Sequence, residues 1–463
     1  MSDAGVILTT LVVYMAVLLG IGWWARGRVA DNAGYFIGER SLGAWVAALS
    51  YAAGSSSAWS ILGVSGIAYS QGISAVWLLP GTLTGHVLAW FWLGLRLREQ
   101  SHQHRWVTLN DLIVKDVPEP ARSRILLLAA GIIAFAFLFY VAAQFQGAAN
   151  TFTEVFHVEF SSALVIGATI VVAYTLLGGF WAVSVTDSLQ AMLMLAAAVL
   201  LPVLAVAELG GIDGLRLQLS AVSTPAQLSL TGANSGWLAA GFGLGMLSIG
   251  FGPLGQPHLL NRLMALRDVR SFQRARLVAM FWFVVVLGGM FVLGLAGHVI
   301  AGQIDDPERL FFVLTDSLLP PVLAGMVIAA VLSAIMSTAD SQLLVAASAV
   351  SHDLLRRDSL VLSRLIVVVV GVLAALVALL LPEAIFSRVL FAWNALGAAF
   401  GPVVIARVLG WRVRPLAVGA ALASGFLLTA LFYLLPDTVG DVAERAVPFV
   451  LAMSLVLIGR QRF

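Results

Sequence analysis

The sequence predicts an all-α polytopic membrane protein, on three observations. Hydrophobic residues make up 60% of the 463 and charged residues only 11%, with a mean hydropathy of +0.97, far above that of a soluble domain. Apolar runs of about 20 residues, the length a helix needs to cross a bilayer, recur from end to end. The 26 Lys and Arg residues gather in alternate connections between those runs, as membrane orientation requires. Soluble folds are excluded, and one transmembrane domain, residues 1–463, is expected to account for the chain. Cysteine is absent, so neither disulfides nor a thiolate-bound metal contributes.

Runs long enough to cross lie at 5–25, 41–70, 73–97, 125–152, 160–180, 184–207, 235–256, 274–301, 320–350, 361–381, 384–409, 415–435 and 446–459, so 13 transmembrane helices are expected. The first run, Val6 to Trp24, exceeds a signal-peptide core and lacks a basic flank and a small-residue cleavage site, so it is expected to be retained. An odd number of crossings places the termini on opposite sides. With the N-terminus outside, the inner connections hold Arg26, Arg28 and Arg40, the basic residues of 96–124, 262–276, 356–364 and 407–414, and Arg460 and Arg462, which is 22 of the 26. Only Arg216, Arg309, Arg388 and Arg445 stay outside, where "IDDPE" (304–308) is acidic. The expectation is a multi-pass membrane protein, N-terminus outside and C-terminus cytoplasmic. Segment 98–124, with His102, His104, Lys115, Pro118 and Pro120, is too polar to cross; it is expected at the inner surface, as an amphipathic piece or a solvated loop.

Two runs carry signals against a continuous helix. "AAGSSSAW" (52–59) clusters serines behind a glycine, and "GFGLGMLSIGFGPLGQP" (241–257) strings glycines around a central proline. Unpaired backbone at membrane depth is tolerated only where protein or a water-filled cavity covers it. The two runs open blocks of five spans each, 41–207 and 235–409, with one further helix in 1–40 and two in 410–463. Interrupted helices at matching places in two halves point to an inverted-repeat secondary transporter with its site at the midplane. Small-residue packing faces are the competing explanation.

The run 320–350 contains "MSTADSQ" (336–342). At helical spacing Ser333, Ser337, Asp340, Ser341 and Ser348 share one face, with Thr338 beside Ser337. Oxygen is the donor these side chains have in common, which suits a hard cation such as sodium; carbonyls unwound at a break would complete the shell. Serine and threonine in membrane helices also bond back to their own helix, so Asp340 decides the matter: a buried carboxylate at this depth marks an ion or proton path. Its acidic companion is Asp187, for which a helix N-cap is the alternative role. Trp59, Tyr140, Gln144, Phe251, Trp393 and Asn394 supply aromatic and amide groups that could line a pocket for an organic solute. His86 and His298 have no metal spacing, and nucleic-acid motifs and phosphate loops are absent from the sequence.

"YFIGERSLGAWVAALSYAAGSSSAW" (35–59), "AYTLLGGFWAVSVTDSLQA" (173–191), "GPLGQPHLLNRLMA" (252–265), "AGMVIAAVLSAIMSTADSQLLVAASA" (324–349) and "FAWNALGAAFGPVV" (391–404) resemble, in order, the motifs of the sodium:solute symporter family. The resemblance runs over nearly the whole chain and is nearest to the bacterial sodium/proline symporters, which implies a bacterial cytoplasmic (inner) membrane location. It implies a five-plus-five inverted-repeat (LeuT-type) fold with two broken helices, and coupling of Na+ influx to import of proline or a related amino acid. By position it puts the main sodium site on the backbone oxygens of Ala53, Ser56 and Ala334 and the hydroxyls of Ser337 and Thr338. A second cation or proton site would fall on Asp187, Asp340 and Ser341, and solute near Ser57, Trp59, Tyr140, Phe251 and Asn394. This chain departs from the proline symporters at Ser55, where they carry aspartate, and at Ile249 and Pro253, where they carry Trp and Tyr. The lining around a small pyrrolidine ring is therefore altered.

The half-helix N-termini at the breaks favour a carboxylate-bearing solute. Another small organic acid, pantothenate- or sialic-acid-like, is the alternative cargo. From other classes, an intramembrane protease would need Gly-x-Gly-Asp or Gly-x-Ser-Gly contexts that are missing around Asp187, Asp340 and "GSSSAW". A transport-like sensor would be expected to carry a signalling module.

Overall fold

The computed structural model describes residues 3–25, 37–177, 179–355, 359–381 and 384–461. Arg26, Arg28, Arg356, Arg357 and Arg462, counted above among the inner basic residues, lie outside the described residues. Every named element is helical, and only two isolated bridges, Leu42 with Leu266 and Val413 with Arg460, interrupt the pattern among the described residues.

Helix α1 (Asp3–Ala25) precedes the first interrupted helix, which is α2 (Ala44–Ser55) followed by a π turn (Trp59–Gly63) and α3 (Val64–Gln71). Then come α4 (Leu78–Val87), α5 (Gly94–His104), the short α6 (Leu109–Ile113), α7 (Ala121–Phe156), α8 (Phe160–Leu177), α9 (Phe180–Glu208) and the surface helix α10 (Gly211–Val222). The second interrupted helix is α11 (Gly236–Ser248), a 3-10 stretch (Ile249–Gly255) and α12 (Pro257–Met264). It is followed by α13 (Val269–Ile300), the short α14 (Leu310–Leu318), α15 (Pro321–Ser348), α16 (Leu360–Leu380), α17 (Ile385–Val408), α18 (Pro415–Tyr433) and α19 (Val442–Ile458).

Among the described residues, ten helices are long and apolar enough to cross a membrane. The expected thirteen differ from them for local reasons. The run at 41–70 is cut at residues 56–57, and its second half continues into the next span as one helical stretch, Trp59–His104, that bends where Gly72 takes a positive φ of 67°. The apolar helices α8 and α19, of 18 and 17 residues, are shorter than any of those ten stretches.

The chain surrounds α15 and α17 with its other helices. α17 is buried all round and α15 nearly so, whereas α1, α16 and α18 expose most of their apolar surface, the division expected when lipid replaces water. Segment 98–124 is amphipathic, with Gln103, His104, Arg105 and Glu119 exposed. Leu109, Leu112, Ile113 and Val114 are buried, and Arg98 of α5 donates to the carbonyls of Leu266 and Arg267 at 2.8 and 2.6 Å. Those carbonyls lie just past α12, so the segment is tied under the second interrupted helix.

Candidate functional site

The first break follows from its serines. Ser55 Oγ donates to the carbonyl of Ala52 at 2.9 Å, competing with the helical ladder, and residues 56 and 57 are non-helical. The N–H groups that open the next half-helix find side-chain acceptors: Ser57 Oγ takes Trp59 N at 3.4 Å and Gln144 Oε1, from α7, takes Ala58 N at 3.1 Å. Both residues, expected as solute contacts, thus act as caps for the restarted helix.

On the other side of the break, carbonyls of α2 face α15. Ser337 Oγ donates to Ala53 O at 3.2 Å and to Ala334 O at 3.3 Å, and Thr338 Oγ1 donates to Ala53 O and Gly54 O at 3.3 Å each. Four expected residues, Ala53, Ala334, Ser337 and Thr338, therefore meet at one point. Ser56 adjoins them as the cap of α2, its N–H on the carbonyls of Ala52 and Ala53. Gly54 O was not foreseen; the glycine signalled the break without signalling that its own carbonyl would be presented. The set is all oxygen and uncharged, which fits a hard monovalent cation. Its hydroxyl distances exceed the usual 2.7–2.8 Å or so for O–H···O, so these groups are weakly held and can turn lone pairs toward an ion.

Asp187 is fully buried in α9, two turns from the Gly179 cap, so it is not an N-cap. Its Oδ2 accepts from Ser50 Oγ at 2.6 Å and from Arg262 Nη2 at 2.7 Å. Arg262, on α12, also donates to Ser50 Oγ and Ser341 Oγ at 2.6 Å each and to the carbonyl of His258 at 2.7 Å. The guanidinium fits because residue 54 has no side chain: a Cβ there would stand 3.3 Å from Arg262 Cζ. Asp340 Oδ1 accepts from Ser341 Oγ at 3.1 Å, while Asp340 Oδ2 and Asp187 Oδ1 are buried without a hydrogen bond.

Asp187, Asp340 and Ser341 are therefore brought together, but around Arg262. Sequence reasoning had counted that residue only as an inner positive charge. The available signal was its spacing, four residues after His258 on the half-helix that follows the second break. His258 Nε2 lies 3.1 Å from Gly54 O, so the two interrupted helices touch at the same glycine. Ser333 and Ser348 are used elsewhere: Ser333 pairs with the Tyr14 hydroxyl of α1 at 2.7 Å, and Ser348 bonds back to Val345 O.

The remaining solute candidates form two groups. Tyr140 has Ser57 and Gln342 as polar neighbours. Its hydroxyl, the Trp59 indole N–H, Ser60 Oγ and both amide atoms of Gln342 are buried without hydrogen bonds. Trp393, Phe251 and Asn394 lie by the second break and α19. Trp393 Nε1 donates to Ile249 O at 3.1 Å, and Gln256 Nε2 donates to Trp393 O at 3.1 Å. The indole lies where a Cβ on Gly252 would be. Phe251 stacks on Phe449 at 4.0 Å, and Asn394 Nδ2 donates to Glu444 Oε1 at 2.9 Å.

The profile of the sodium:solute symporter family matches residues 35–424, which is most of the chain and includes both breaks and α15. The chain belongs to that family. This symporter is 32% identical over 433 residues to the osmoregulated proline transporter of Bacillus subtilis, covering 90% of this chain and 87% of the relative. It is 32% identical over 425 residues to the sodium/proline symporter of Escherichia coli, covering 88% and 83%. In fold, the symporter resembles the substrate-bound outward-open state of a Na+-coupled sialic acid symporter, with a TM-score of 0.80 at 18% identity over 99% of both chains. A nucleobase-cation-symport-1 family transporter in a closed conformation superposes with a TM-score of 0.56 at 15% identity, covering 93% of this chain and 95% of that one. Family and fold together make this a multi-pass transporter for which sodium is the coupling ion.

Proposed function

We propose that this protein is a sodium-coupled secondary active symporter that imports a small organic solute, proline or a related amino acid, by alternating access. Its relatives' names supply the cargo. The observation that carries the mechanism is the meeting of Ser337 and Thr338 with the carbonyls of Ala53 and Gly54. A sodium ion among these oxygens ties α2 to α15 and holds the first break in the shape that receives solute. Linkage is reciprocal: sodium raises solute affinity by the factor by which solute raises sodium affinity.

The solute lies beside the break, against the unpartnered groups of Trp59, Ser60, Tyr140 and Gln342. A zwitterion with a small ring suits them, its carboxylate toward the Trp59 indole N–H and the Tyr140 hydroxyl and its ammonium toward the Gln342 amide oxygen. The ion's way inward passes Asp340 and then the Arg262–Asp187 pair. Below Ser341 only about 10 Å³ is open, lined in part by Arg262, Asn261 and Leu344, less than a water needs with comfort. Release inward therefore requires Arg262 to part from Asp187 or Ser341.

The proposed topology keeps thirteen helices, with repeats at 41–207 and 235–409, the N-terminus outside and the C-terminus cytoplasmic. Proteoliposomes test the proposal. An inward sodium gradient should drive proline uptake, and purified protein should gain thermal stability from proline only when sodium is present. Sodium-independent binding of every amino acid tried, with sodium-dependent binding of pantothenate or sialic acid, would move the cargo to the second reading favoured by Ile249 and Pro253.

A further inference from the structure

The inner end of α15 carries a second polar cluster that the sodium chemistry does not use. α15 widens there into a π turn, Ala349–Leu354, a distortion that recurs at functional sites. It brings His352 and Asp353 against the start of α6. Asp353, 6% exposed, accepts from Thr108 Oγ1 at 3.0 Å and from Asn110 Nδ2 at 2.6 Å. Asp111 Oδ2 accepts the backbone N–H groups of Val107 and Thr108 at 2.8 and 3.1 Å, which fixes the carboxylate in place.

One donor atom from each of Asp111, His352 and Asp353 lies within 4.8 Å of the others. An independent observation points the same way. Asn110 is 1% exposed and bonded to Asp353 through its Nδ2, yet its Oδ1 is buried with no hydrogen bond, a costly arrangement unless something else is bound there.

We propose that Asp111, His352 and Asp353, with the amide oxygen of Asn110, bind a divalent transition cation of the Zn2+ or Mn2+ class. An imidazole nitrogen among carboxylate and amide oxygens suits those ions better than Mg2+ or Ca2+, which prefer oxygen shells. Metal–ligand bonds of about 2.0–2.2 Å require the donors to close in, which the partly exposed His352 can do by side-chain rotation toward the held carboxylates of Asp111 and Asp353. Two carboxylates this close repel each other, and a dication removes the repulsion. The ion then staples the 107–113 segment to the inner end of α15, the helix that carries Ser337 and Thr338. Its effect on transport rests on the function proposed above; its binding does not.

Full-length protein in detergent, stripped with chelator, is dialysed against Zn2+, Mn2+ or Mg2+, and bound metal per chain is measured for wild type, His352→Ala and Asp353→Asn. Wild type should retain one Zn2+ or Mn2+ per chain and no Mg2+. Both variants should bind at least about tenfold more weakly, since even outer partners of a metal are worth that much. Absence of one-to-one binding in wild type, or undiminished binding in His352→Ala, overturns the proposal. Sodium-driven uptake by the stripped wild type, measured on the same preparation, separates failure of the metal site from failure of the transporter.

Discussion

Arg262 Nη2 lies 2.7 Å from Asp187 Oδ2, and both side chains are closed off from solvent, at 2% and 0% exposure. Such a pair gains little over a well-packed apolar pair, but breaking it from one side leaves a bare charge, at a cost of about 3–5 kcal/mol. Arg262→Met should therefore lower the thermal unfolding temperature in detergent sharply. Adding Asp187→Leu should recover much of that loss. A double variant as unstable as the sum of the singles would show that the two residues are not energetically coupled.

Ser337→Ala removes one hydroxyl from the candidate sodium shell, and Thr338→Ala removes a hydroxyl together with one buried methyl group. A hydrogen-bonding or ligating contact to a charged group is worth about 1.5–3 kcal/mol. The sodium concentration for half-maximal uptake should rise by about tenfold or more in each, at similar expression. If both variants keep the wild-type sodium dependence, the ion does not bind at this pair.

Much of this architecture is legible in the sequence because hydrophobic length and Gly/Ser/Pro interruptions are local signals. The break at Ser56 and Ser57 and the face carrying Ser337, Thr338, Asp340 and Ser341 are read directly from spacing. Arg262 is invisible to that reading, because it lies far along the chain from Asp187 and only the fold of α12 beneath Gly54 brings them together. Gln144 and Trp393 present the opposite difficulty. Polar and aromatic groups within spans look like pocket lining, and only tertiary structure reveals that they pair with Ala58 N and Ile249 O. A side chain that repairs a broken helix has the same composition as one that binds solute.

Glu308, in the loop before α14, accepts the backbone N–H groups of Ile385 and Phe386 at 3.2 and 2.9 Å, fastening that loop to the first turn of α17. Burial pushes its carboxyl above the ordinary value of 4.5, with the two N–H groups opposing the shift and Asp306 adding to it. An acid whose folded value is raised binds its proton more tightly when folded. Its contribution is full below the unfolded value and is lost as the pH rises through the folded one. The unfolding temperature of wild type relative to Glu308→Gln should therefore fall from pH 4.5 toward neutrality. A constant difference across that range would mean that the carboxyl is not perturbed by folding.

Gln144 provides the test that separates a break-holding role from a solute-binding one. Its Oε1 accepts Ala58 N at 3.1 Å, and its Nε2 approaches the Tyr140 carbonyl on its own helix at 3.5 Å, so both ends of the amide face protein. Gln144→Leu leaves a buried N–H without an acceptor, which costs about 1–3 kcal/mol; the unfolding temperature should drop even with neither sodium nor solute present. Gln144→Glu keeps an acceptor oxygen and should restore part of the stability, although it buries a new carboxyl beside the break. Solute affinity should weaken in Gln144→Leu only as far as the half-helix restarting at Ala58 loses its cap, so apparent affinities for chemically different solutes should shift by the same factor. A residue that touches the solute would instead discriminate among them. Unchanged stability with a solute-specific loss of affinity would return Gln144 to the pocket wall and require another acceptor for Ala58 N.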